Sequence, residues 1–314
     1  MSEPAVHPLA LCETDRIGID SVIEAFASVA GDSILGARVV VARGASVLGG
    51  AEIRERVRVE VGAVVGSNVC IQAGAVVGAR AVLGDSTVEP GRGGDRAVEI
   101  GPGATIGANA VVAPGVRIGR DARVCAGAVV TRSVPANAIV SGNPANITGY
   151  VGMTEGAEGA ALVASVRAPN MGAPPHPSGV AGVSLHRAPL HGDLRGSLVA
   201  KEFGRDIPFD PRRAFLVFDV PSTEIRGEHA HRECHQFISC VHGACSLVAE
   251  DGHAREEFRL DDPTLGVHIP PMVWCTQYLH TQDAVLLVYA SHAYDPDDYI
   301  RDYEVYVAEL GGQR

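Results

Sequence analysis

The segment ASVLGG AEIRER VRVEVG AVVGSN VCIQAG AVVGAR (Ala45–Arg80), divided into blocks of six, repeats one pattern in every block. The first residue of each block is small or β-branched, and the third is a larger aliphatic residue. The pattern begins at Asp15, runs through twelve blocks, breaks for eleven residues at Thr87–Ala97 and resumes in the same register for six more blocks, up to Ser133. A six-residue period over this length predicts a parallel β-helix built from hexapeptide repeats.

Each block supplies one short strand and one corner. Residues at the first and third positions point to the same face of a strand, so they fill the interior, while Arg, Glu and Asn face solvent. Three blocks close one triangular coil, and the eighteen blocks predict six coils of a left-handed parallel β-helix, on the order of 30 Å tall at roughly 4.8 Å per coil. Glycine tolerates positive φ, and for that reason we expect seven glycines at the corners: Gly36, Gly62, Gly66, Gly78, Gly101, Gly107 and Gly119.

The composition of the 314-residue chain narrows the class of protein. At this length we expect two domains, and a hydrophobic content of 46% is ample for folded cores. The net charge of −11 disfavours nucleic acid as a partner. No apolar segment follows a basic N-terminus and no apolar run approaches about 18 residues, so neither a signal peptide nor a membrane span is expected. The seven cysteines are scattered and include no CxxC pair, which indicates reduced thiols in a cytoplasmic protein.

Changes in sequence character divide the chain. Residues 1–152 hold the β-helix, residues 153–183 form an Ala-, Gly- and Pro-rich linker with a short helix around Glu158–Val166, and residues 184–314 form a second domain. The second domain alternates short apolar strands with turns, which predicts an antiparallel sandwich or barrel and makes the whole chain all-β. The predicted strands are Phe215–Phe218, Gln236–Val241, Cys245–Ala249, Leu265–Ile269 and Ala284–Ala290.

The end of the β-helix reads VVTRSVPANAIVSGNPANITGYVG (Val129–Gly152). This segment resembles the closing segment of hexapeptide-repeat acyltransferases, and VHPLA (Val6–Ala10) resembles the entry of the branch that acetylates nucleotide-linked amino sugars. The resemblance implies a homotrimer with acetyl-CoA and sugar bound between adjacent prisms. The residues that it assigns to coenzyme binding are Thr131, Arg132, Gly142, Asn143 and Pro144.

The break in the repeat is expected to be a loop expelled from the prism wall, either functional or a tolerated insertion. Many members of the acyltransferase family carry a histidine base on this loop, but no histidine lies between His7 and His176. The amino-sugar branch can dispense with the base because an unprotonated amine attacks the thioester directly. That branch often has an Asn–Asp pair where the loop starts. Gly84 replaces the asparagine, and the resemblance assigns catalysis to Asp85.

The second domain concentrates its ionisable residues in RGEHAHRECHQF (Arg226–Phe237). His229 and His231 are two residues apart, so on a strand both imidazoles point to one face. With Gln236, the spacing resembles the first metal motif of cupins and implies their antiparallel β-barrel, but glutamine replaces glutamate and Cys275 stands where a third histidine is usual. We therefore expect no bound metal, with a His–His–Cys zinc site as the open alternative. Two metal-free imidazoles suit proton transfer near neutral pH, and a purely hydrogen-bonded structural pair is the alternative.

Four segments of the second domain resemble the cupin sugar 3,4-ketoisomerases of deoxysugar biosynthesis: Asp193–Phe215, Val220–Phe237, Ile269–Trp274 and Tyr294–Tyr306. That family converts dTDP-4-keto-6-deoxyglucose into its 3-keto isomer without a metal or a cofactor. The resemblance implies that His229 and His231 transfer protons and that Arg226 polarises the keto group. The candidate substrate-binding residues are Gln236, Arg195 and Trp274, with a core position as the alternative for Trp274. A tyrosine that family members often carry on the preceding strand is missing from AFLVF (Ala214–Phe218).

Together the resemblances predict a bifunctional enzyme. The C-terminal domain would isomerise the keto sugar, and the N-terminal domain would use acetyl-CoA to N-acetylate a dTDP-3-amino-3,6-dideoxyhexose, with a separate PLP-dependent aminotransferase acting between them. The alternatives are an isomerase whose β-helix is only a trimerisation scaffold, and a non-catalytic sugar-nucleotide-binding protein. We expect a homotrimer, or a hexamer paired through cupin dimers. The tyrosines expected to pack at such a dimer interface are Tyr294, Tyr299, Tyr303 and Tyr306.

Overall fold

The computed structural model describes residues 2–84, 98–152, 175–222 and 224–312. The chain divides into two compact units, Met1–Val151 and Gly152–Arg314. As predicted, nearly all of the regular structure is β, and the described residues contain one α-helix. No helix within these ranges is long and apolar enough to cross a membrane.

The first unit is a parallel β-helix with three walls, the first of which ends in one antiparallel pair. Strands pair at a spacing of eighteen residues, as Val40 does with Val22 and Arg58. The first wall contains β1 (Ala5–Val6), β3 (Val22–Ile23), β6 (Val40–Val41), β9 (Arg58–Val59), β12 (Val76–Val77), β15 (Thr105–Ile106), β18 (Arg123–Val124), β20 (Ala138–Gly142) and β21 (Ala145–Tyr150). The second contains β2 (Leu11–Cys12), β4 (Ser28–Val29), β7 (Ser46–Val47), β10 (Val64–Val65), β13 (Val82–Leu83), β16 (Val111–Val112) and β19 (Val129–Val130). The third contains β5 (Ile34–Leu35), β8 (Glu52–Ile53), β11 (Cys70–Ile71), β14 (Glu99–Ile100) and β17 (Arg117–Ile118).

The interior of the prism is filled by the residues that the six-residue pattern assigns to it. Ala45 and Val47, the first and third residues of one block, are 0% and 1% exposed. Across the break, Cys70 pairs with Glu99, 29 residues later, whereas its other partner, Glu52, lies 18 residues earlier. The difference equals the eleven residues of the break, so the register is preserved and the predicted β-helix is confirmed.

The glycines of the prism serve a different purpose from the one predicted. Of the seven, only Gly62 has a positive φ, at 66°. The other six have ordinary φ values and lie against the backbone of the next coil. A Cβ on Gly36 would lie 2.7 Å from the amide nitrogen of Glu55, closer than real Cβ contacts allow. Positive φ instead recurs at the residue before most inward pairs and is shared by glycine with other residues, such as Arg56 and Asn68. The six glycines are therefore required by the coil spacing.

The second unit consists of two antiparallel sheets, a hairpin and C-terminal helical segments. The six-stranded sheet contains, in spatial order, β22 (His176–Pro177), β23 (Ser184–Arg187), β31 (Leu265–Ile269), β28 (Gln236–His242), β33 (Val285–Ala290) and β26 (Arg213–Val217). The five-stranded sheet contains β30 (Arg255–Leu260), β29 (Cys245–Glu250), β32 (Trp274–Tyr278), β27 (Arg226–His231) and β34 (Tyr299–Ile300). The remaining elements are the hairpin of β24 (Leu190–Asp193) and β25 (Gly196–Val199), a 3-10 helix (Pro296–Asp298) and α1 (Tyr303–Gly312).

Apolar residues from both sheets form a common core, in which Ile238 and Leu247 are fully buried. Val180 and Val183 belong to the same core, 1% and 2% exposed, although the sequence placed them in the linker. The predicted linker therefore extends too far, because strand β22 already pairs with β23 of the second unit. The short helix predicted around Glu158–Val166 lies outside the described residues.

Replacing Gly107 by alanine should destabilise the first unit more than the same change at Gly127. A Cβ on Gly107 would lie 2.5 Å from the backbone nitrogen of Ala126, so the backbone of the next coil would have to move. Gly127 has a φ of +71° and nothing within 4 Å of its Cβ position. Gly127→Ala should therefore cost only left-handed strain, about 1–2 kcal/mol. Urea unfolding followed by circular dichroism compares the two variants, and equal losses of unfolding free energy would contradict the coil-spacing explanation.

Candidate active site in the second unit

Strand β27 carries both predicted catalytic histidines and lies between β32 and β34. A β-bulge interrupts its pairing between Gly227 and His229, where Glu228 adopts a left-handed φ of 51°. Beyond the bulge, the rings of His229 and His231 contact each other, with centroids 4.9 Å apart. The structure therefore brings the predicted pair together.

His229 is held through one ring nitrogen. Its Nδ1 lies 2.9 Å from the carbonyl oxygen of Gly227, so Nδ1–H donates to that oxygen and Nε2 carries the lone pair. Nε2 is buried and has no hydrogen-bond partner among the described residues. Burial lowers the pKa of His229 to about 4, so the imidazole is neutral at pH 7. His229 thus presents a neutral and unoccupied proton acceptor.

His231 is held through both ring nitrogens and is 5% exposed. Its Nδ1–H donates to the carboxylate of Asp298 over 2.6 Å, and the side-chain amide of Gln236 donates to Nε2 over 3.0 Å. Burial lowers the pKa of His231, and Asp298 opposes that shift by favouring the charged form. The two histidines are therefore not equivalent. Gln236, predicted to contact substrate, contacts His231.

Asp298 was not among the predicted site residues. It ends the 3-10 helix, and the backbone N–H of Glu233 donates to its second oxygen over 2.7 Å. Burial alone would raise the pKa of Asp298, but the hydrogen bonds from Glu233 and His231 hold it below its usual value. The pairing of β34 with Ala230 and His231 brings this carboxylate to the site. The sequence YDPDDY signals a turn, but it does not reveal which strand the turn meets.

Tyr299 lies against both histidines. The centroid of its ring is 4.2 Å from that of His231 and 4.9 Å from that of His229. The guanidinium of Arg213 donates to its hydroxyl over 3.4 Å. Tyr306, from the same predicted interface group, is fully buried within its own unit. The expectation that these tyrosines form a dimer interface is therefore wrong for Tyr306, because its side chain is covered by its own chain. For the half-buried Tyr299 it stays a prediction.

The arginines whose charges act on the pair are Arg213 and Arg301 rather than Arg226. Arg213 lies on β26, and the positive charge of Arg213 contributes to lowering the pKa of His231. Its Nε is buried without a hydrogen-bond partner in the described part of the chain. Arg226 is exposed at the start of β27, and its charge acts on His280, whose pKa is lowered by burial first and by that charge second. Arg213 directly precedes Ala214 on β26, the strand on which a tyrosine was expected.

Two residues assigned to substrate binding lie elsewhere. Trp274 is 8% exposed and packs in a cluster with Ala230 and Ile300, its ring 5.2 Å from that of Tyr303. It is a packing residue between the sheet and α1, because its aromatic surface is already covered by its own chain. Arg195 lies in the turn of the β24–β25 hairpin, where its exposed side chain forms an ion pair with a neighbouring aspartate over 2.6 Å.

Three potential metal ligands meet near the histidines. Donor atoms of His231, Cys234 and Asp298 lie within 4.8 Å of one another, and such a nitrogen, sulfur and oxygen set suits zinc. His231 and Asp298 are hydrogen-bonded to each other, however, and the Cys234 thiol donates to a backbone carbonyl. Cys275 pairs with His229 across the sheet, and burial raises the pKa of its thiol to about 12. The absence of a metal requirement stays a prediction.

The residues assigned to coenzyme A are exposed at the end of the prism. Thr131 and Arg132 follow β19, the last strand of the second wall. Gly142 ends β20 in the first wall, and Asn143 and Pro144 form the turn into β21. The structure thus places them on two walls. Asp85, assigned to catalysis, lies outside the described residues.

Known proteins resemble both units. Residues 181–311 match the family FdtA: WxcM-like, C-terminal, and residues 97–132 match the bacterial transferase hexapeptide (six repeats). A TDP-4-oxo-6-deoxy-alpha-D-glucose-3,4-oxoisomerase from Aneurinibacillus thermoaerophilus is 40% identical over 121 residues, 38% of this chain and 87% of that protein. The structure of QdtA, a sugar 3,4-ketoisomerase from Thermoanaerobacterium thermosaccharolyticum in complex with TDP, is 34% identical over 42% of this chain and 97% of its own, with a TM-score of 0.41. The structure of a 3,4-ketoisomerase from Helicobacter canadensis is 32% identical, covers 41% of this chain and 98% of its own chain, and has a TM-score of 0.41. Through its second unit the chain belongs to the FdtA family of TDP-sugar 3,4-ketoisomerases, and its first unit carries the hexapeptide repeat of bacterial transferases.

Proposed function

We propose that the second unit isomerises dTDP-4-keto-6-deoxyglucose to its 3-keto isomer. The observation that carries this proposal is the buried and unpartnered Nε2 of His229 beside the His231–Asp298 pair. A buried nitrogen without a hydrogen-bond donor raises the free energy of the folded protein, and a bound ligand that interacts with that nitrogen removes this cost. The oxoisomerase activity named for the Aneurinibacillus relative supports the same reaction.

The reaction moves one proton between neighbouring carbons. The C4 keto group acidifies the hydrogen on C3, and the neutral Nε2 of His229 accepts it and returns it to C4. His231 stands 4.9 Å away, ring to ring, with its tautomer fixed by Asp298. The carboxylate offsets positive charge that develops on the imidazoles during transfer. The reaction needs no external oxidant or reductant, because the oxidation of C3 from alcohol to ketone is balanced by the reduction of C4 from ketone to alcohol in the same sugar.

His229→Asn should abolish proton removal from C3. The variant lacks the acceptor nitrogen, and loss of a general base lowers rates by about 10²–10⁴-fold. The measurement is NMR of the 4-keto sugar nucleotide in D₂O, following deuterium at C3 and formation of the 3-keto isomer. His191→Asn, in the exposed hairpin, is the matched control and should behave as the wild type. Exchange and conversion retained by His229→Asn would refute the role of His229, and a wild type that binds substrate but shows neither exchange nor 3-keto product would identify a sugar-nucleotide-binding protein.

The pH dependence of kcat/KM should reflect the lowered pKa of His229. The neutral form accepts the proton, and a histidine with a pKa of about 4 stays neutral well below its ordinary value of 6.5. Activity should therefore be nearly constant from pH 8 to about pH 5.5 and fall only as the pH approaches about 4. The measurement is a kcat/KM profile over the range in which circular dichroism shows the protein folded. A loss of activity centred near pH 6.5 would contradict this assignment.

For the first unit we propose acetyl-CoA-dependent N-acetylation of a dTDP-3-amino-3,6-dideoxyhexose by a homotrimer. The hexapeptide match and the exposed Thr131, Arg132 and Gly142–Pro144 support this proposal. Isomerisation and N-acetylation fit one series of reactions, because a PLP-dependent aminotransferase acting between them converts the 3-keto sugar into the 3-amino sugar. The rival function is a β-helix that acts only as a trimerisation scaffold.

Mixing the protein with acetyl-CoA and the dTDP-3-amino sugar should release free coenzyme A. One thiol should appear for each amide formed, which a thiol reagent and mass spectrometry measure together. The same preparation is assayed for isomerisation as the control for folding. Absence of thiol release while the isomerase is active would favour the scaffold.

A further inference from the structure

We propose that Cys240 and Cys245 form a reversible disulfide on exposure to a peroxide, which makes this pair an oxidative modification site in the core of the second unit. The pair lies where the chain passes from one sheet to the other. Strand β28 ends at His242 in the six-stranded sheet, and β29 begins at Cys245 in the five-stranded sheet. The new bond therefore joins the two sheets at this corner. The proposal is independent of the isomerase function.

The two thiols are in direct contact. The thiol of Cys245 donates a hydrogen bond to the sulfur of Cys240. The Cys240 thiol is held on its other side, where it donates to the carbonyl oxygen of His242 over 2.9 Å. An S–S bond is about 2.05 Å long, so two sulfurs that already share a hydrogen bond need to move only a short way to become linked.

The other cysteines have different partners. Cys12 and Cys234 donate to backbone carbonyls, and Cys70 accepts a hydrogen bond from a side-chain amide. All seven cysteines are free thiols and lie within the described residues. Cys275 is close enough to Cys245 for its charge to affect the pKa of that thiol. It is therefore the competing partner that an experiment has to exclude.

The hydrogen bond between the thiols gives them different roles. It lowers the pKa of Cys240 against the effect of burial, and the positive charge of Arg259 acts in the same direction as the hydrogen bond. It raises the pKa of Cys245, and burial adds to that increase. The thiolate is the form that attacks a peroxide. Cys240 is therefore the residue that is oxidised first, and Cys245 is the thiol that then attacks it.

Access to the pair selects a small oxidant. Cys240 and Cys245 are 1% and 0% exposed, so a bulky oxidant does not reach them in the folded barrel. The turn beside them is open to solvent, because Val241 is 37% exposed and His242 is exposed. The pairing of β28 with β33 is also irregular between Cys240 and His242, so the ladder is interrupted next to the reactive sulfur. Hydrogen peroxide is small enough to enter when this turn opens locally.

The atoms and electrons of the reaction balance. The thiolate of Cys240 attacks one oxygen of hydrogen peroxide, the O–O bond breaks, and the departing hydroxide takes up the proton that Cys240 released and becomes water. Cys240 is then a sulfenic acid. The sulfur of Cys245 attacks the sulfur of Cys240, the S–O bond breaks, and the hydroxyl group leaves with the Cys245 proton as a second water. The two thiols lose two electrons and two protons, which the peroxide takes up.

Peptide mapping tests the pair, after the intact protein is treated with hydrogen peroxide at a level that leaves its circular dichroism unchanged. Free thiols are alkylated, and chymotrypsin then cleaves after Phe237, which separates Cys240 and Cys245 from Cys234. The peptide with both cysteines should carry no alkyl group and weigh two hydrogen atoms less than its reduced form. Reduction with dithiothreitol before alkylation should restore both thiols. Thiols that stay free at Cys240 and Cys245, or a link from either one to Cys234 or Cys275, would overturn the proposal.

Cys245→Ser removes the second thiol and leaves Cys240 in place. Peroxide should then produce a lasting sulfenic acid at Cys240, which dimedone labels, whereas the wild type should show little labelling because Cys245 removes the sulfenic acid. Cys125→Ser, at a half-buried cysteine of the first unit, is the matched control and should form the disulfide as the wild type does. Equal labelling of Cys240 in Cys245→Ser and in the wild type would contradict the proposal. If Cys245→Ser does not fold, the mapping of the wild type decides alone.

Discussion

The hydrogen bond of 2.6 Å between His231 and Asp298 joins segments that lie 67 residues apart in the chain. It accompanies the pairing of β34 with the end of β27, which sets Tyr299 against the two histidine rings. The chain then continues into α1, where Tyr306 is fully buried. The C-terminal segment therefore contributes to the site as well as to the fold. The site depends on the carboxylate of Asp298, which stays ionised beside the buried imidazole of His231.

Burial acts on both histidines, yet their environments differ. It lowers the pKa of each, and the charge of Asp298 opposes the effect on both, but only His231 is hydrogen-bonded to that carboxylate. His231 also has a partner on each nitrogen, whereas His229 has one on Nδ1 alone. The two histidines of one strand therefore differ: His231 is fixed through both nitrogens, and His229 offers Nε2 as a proton acceptor. This division favours proton transfer through His229 over a structural role for both.

The sequence was most informative where structure follows from local spacing. The six-residue period predicted the walls, the inward pairs and the register across the break, because each coil repeats one local geometry. It could not separate glycines needed for positive φ from glycines such as Gly107, since the distance between coils is a tertiary quantity. The two-residue spacing of His229 and His231 predicted a shared face. Asp298, Tyr299 and Arg213 were missed because separate strands bring them together. The sequence left Trp274 open between core and ligand surface, because a lone tryptophan fits both.

Proton transfer through His229 requires a neutral imidazole with its proton on Nδ1 and a free Nε2. Long-range ¹H–¹⁵N NMR of protein labelled at histidine nitrogen measures the tautomer and charge of each ring, with a His229→Asn sample assigning the signals. The structure predicts that the His229 signals of the substrate-free protein show the neutral Nδ1–H form between about pH 5.5 and 7, because burial lowers its pKa to about 4. An Nε2–H tautomer, or an imidazolium that titrates near pH 6.5, would contradict the account.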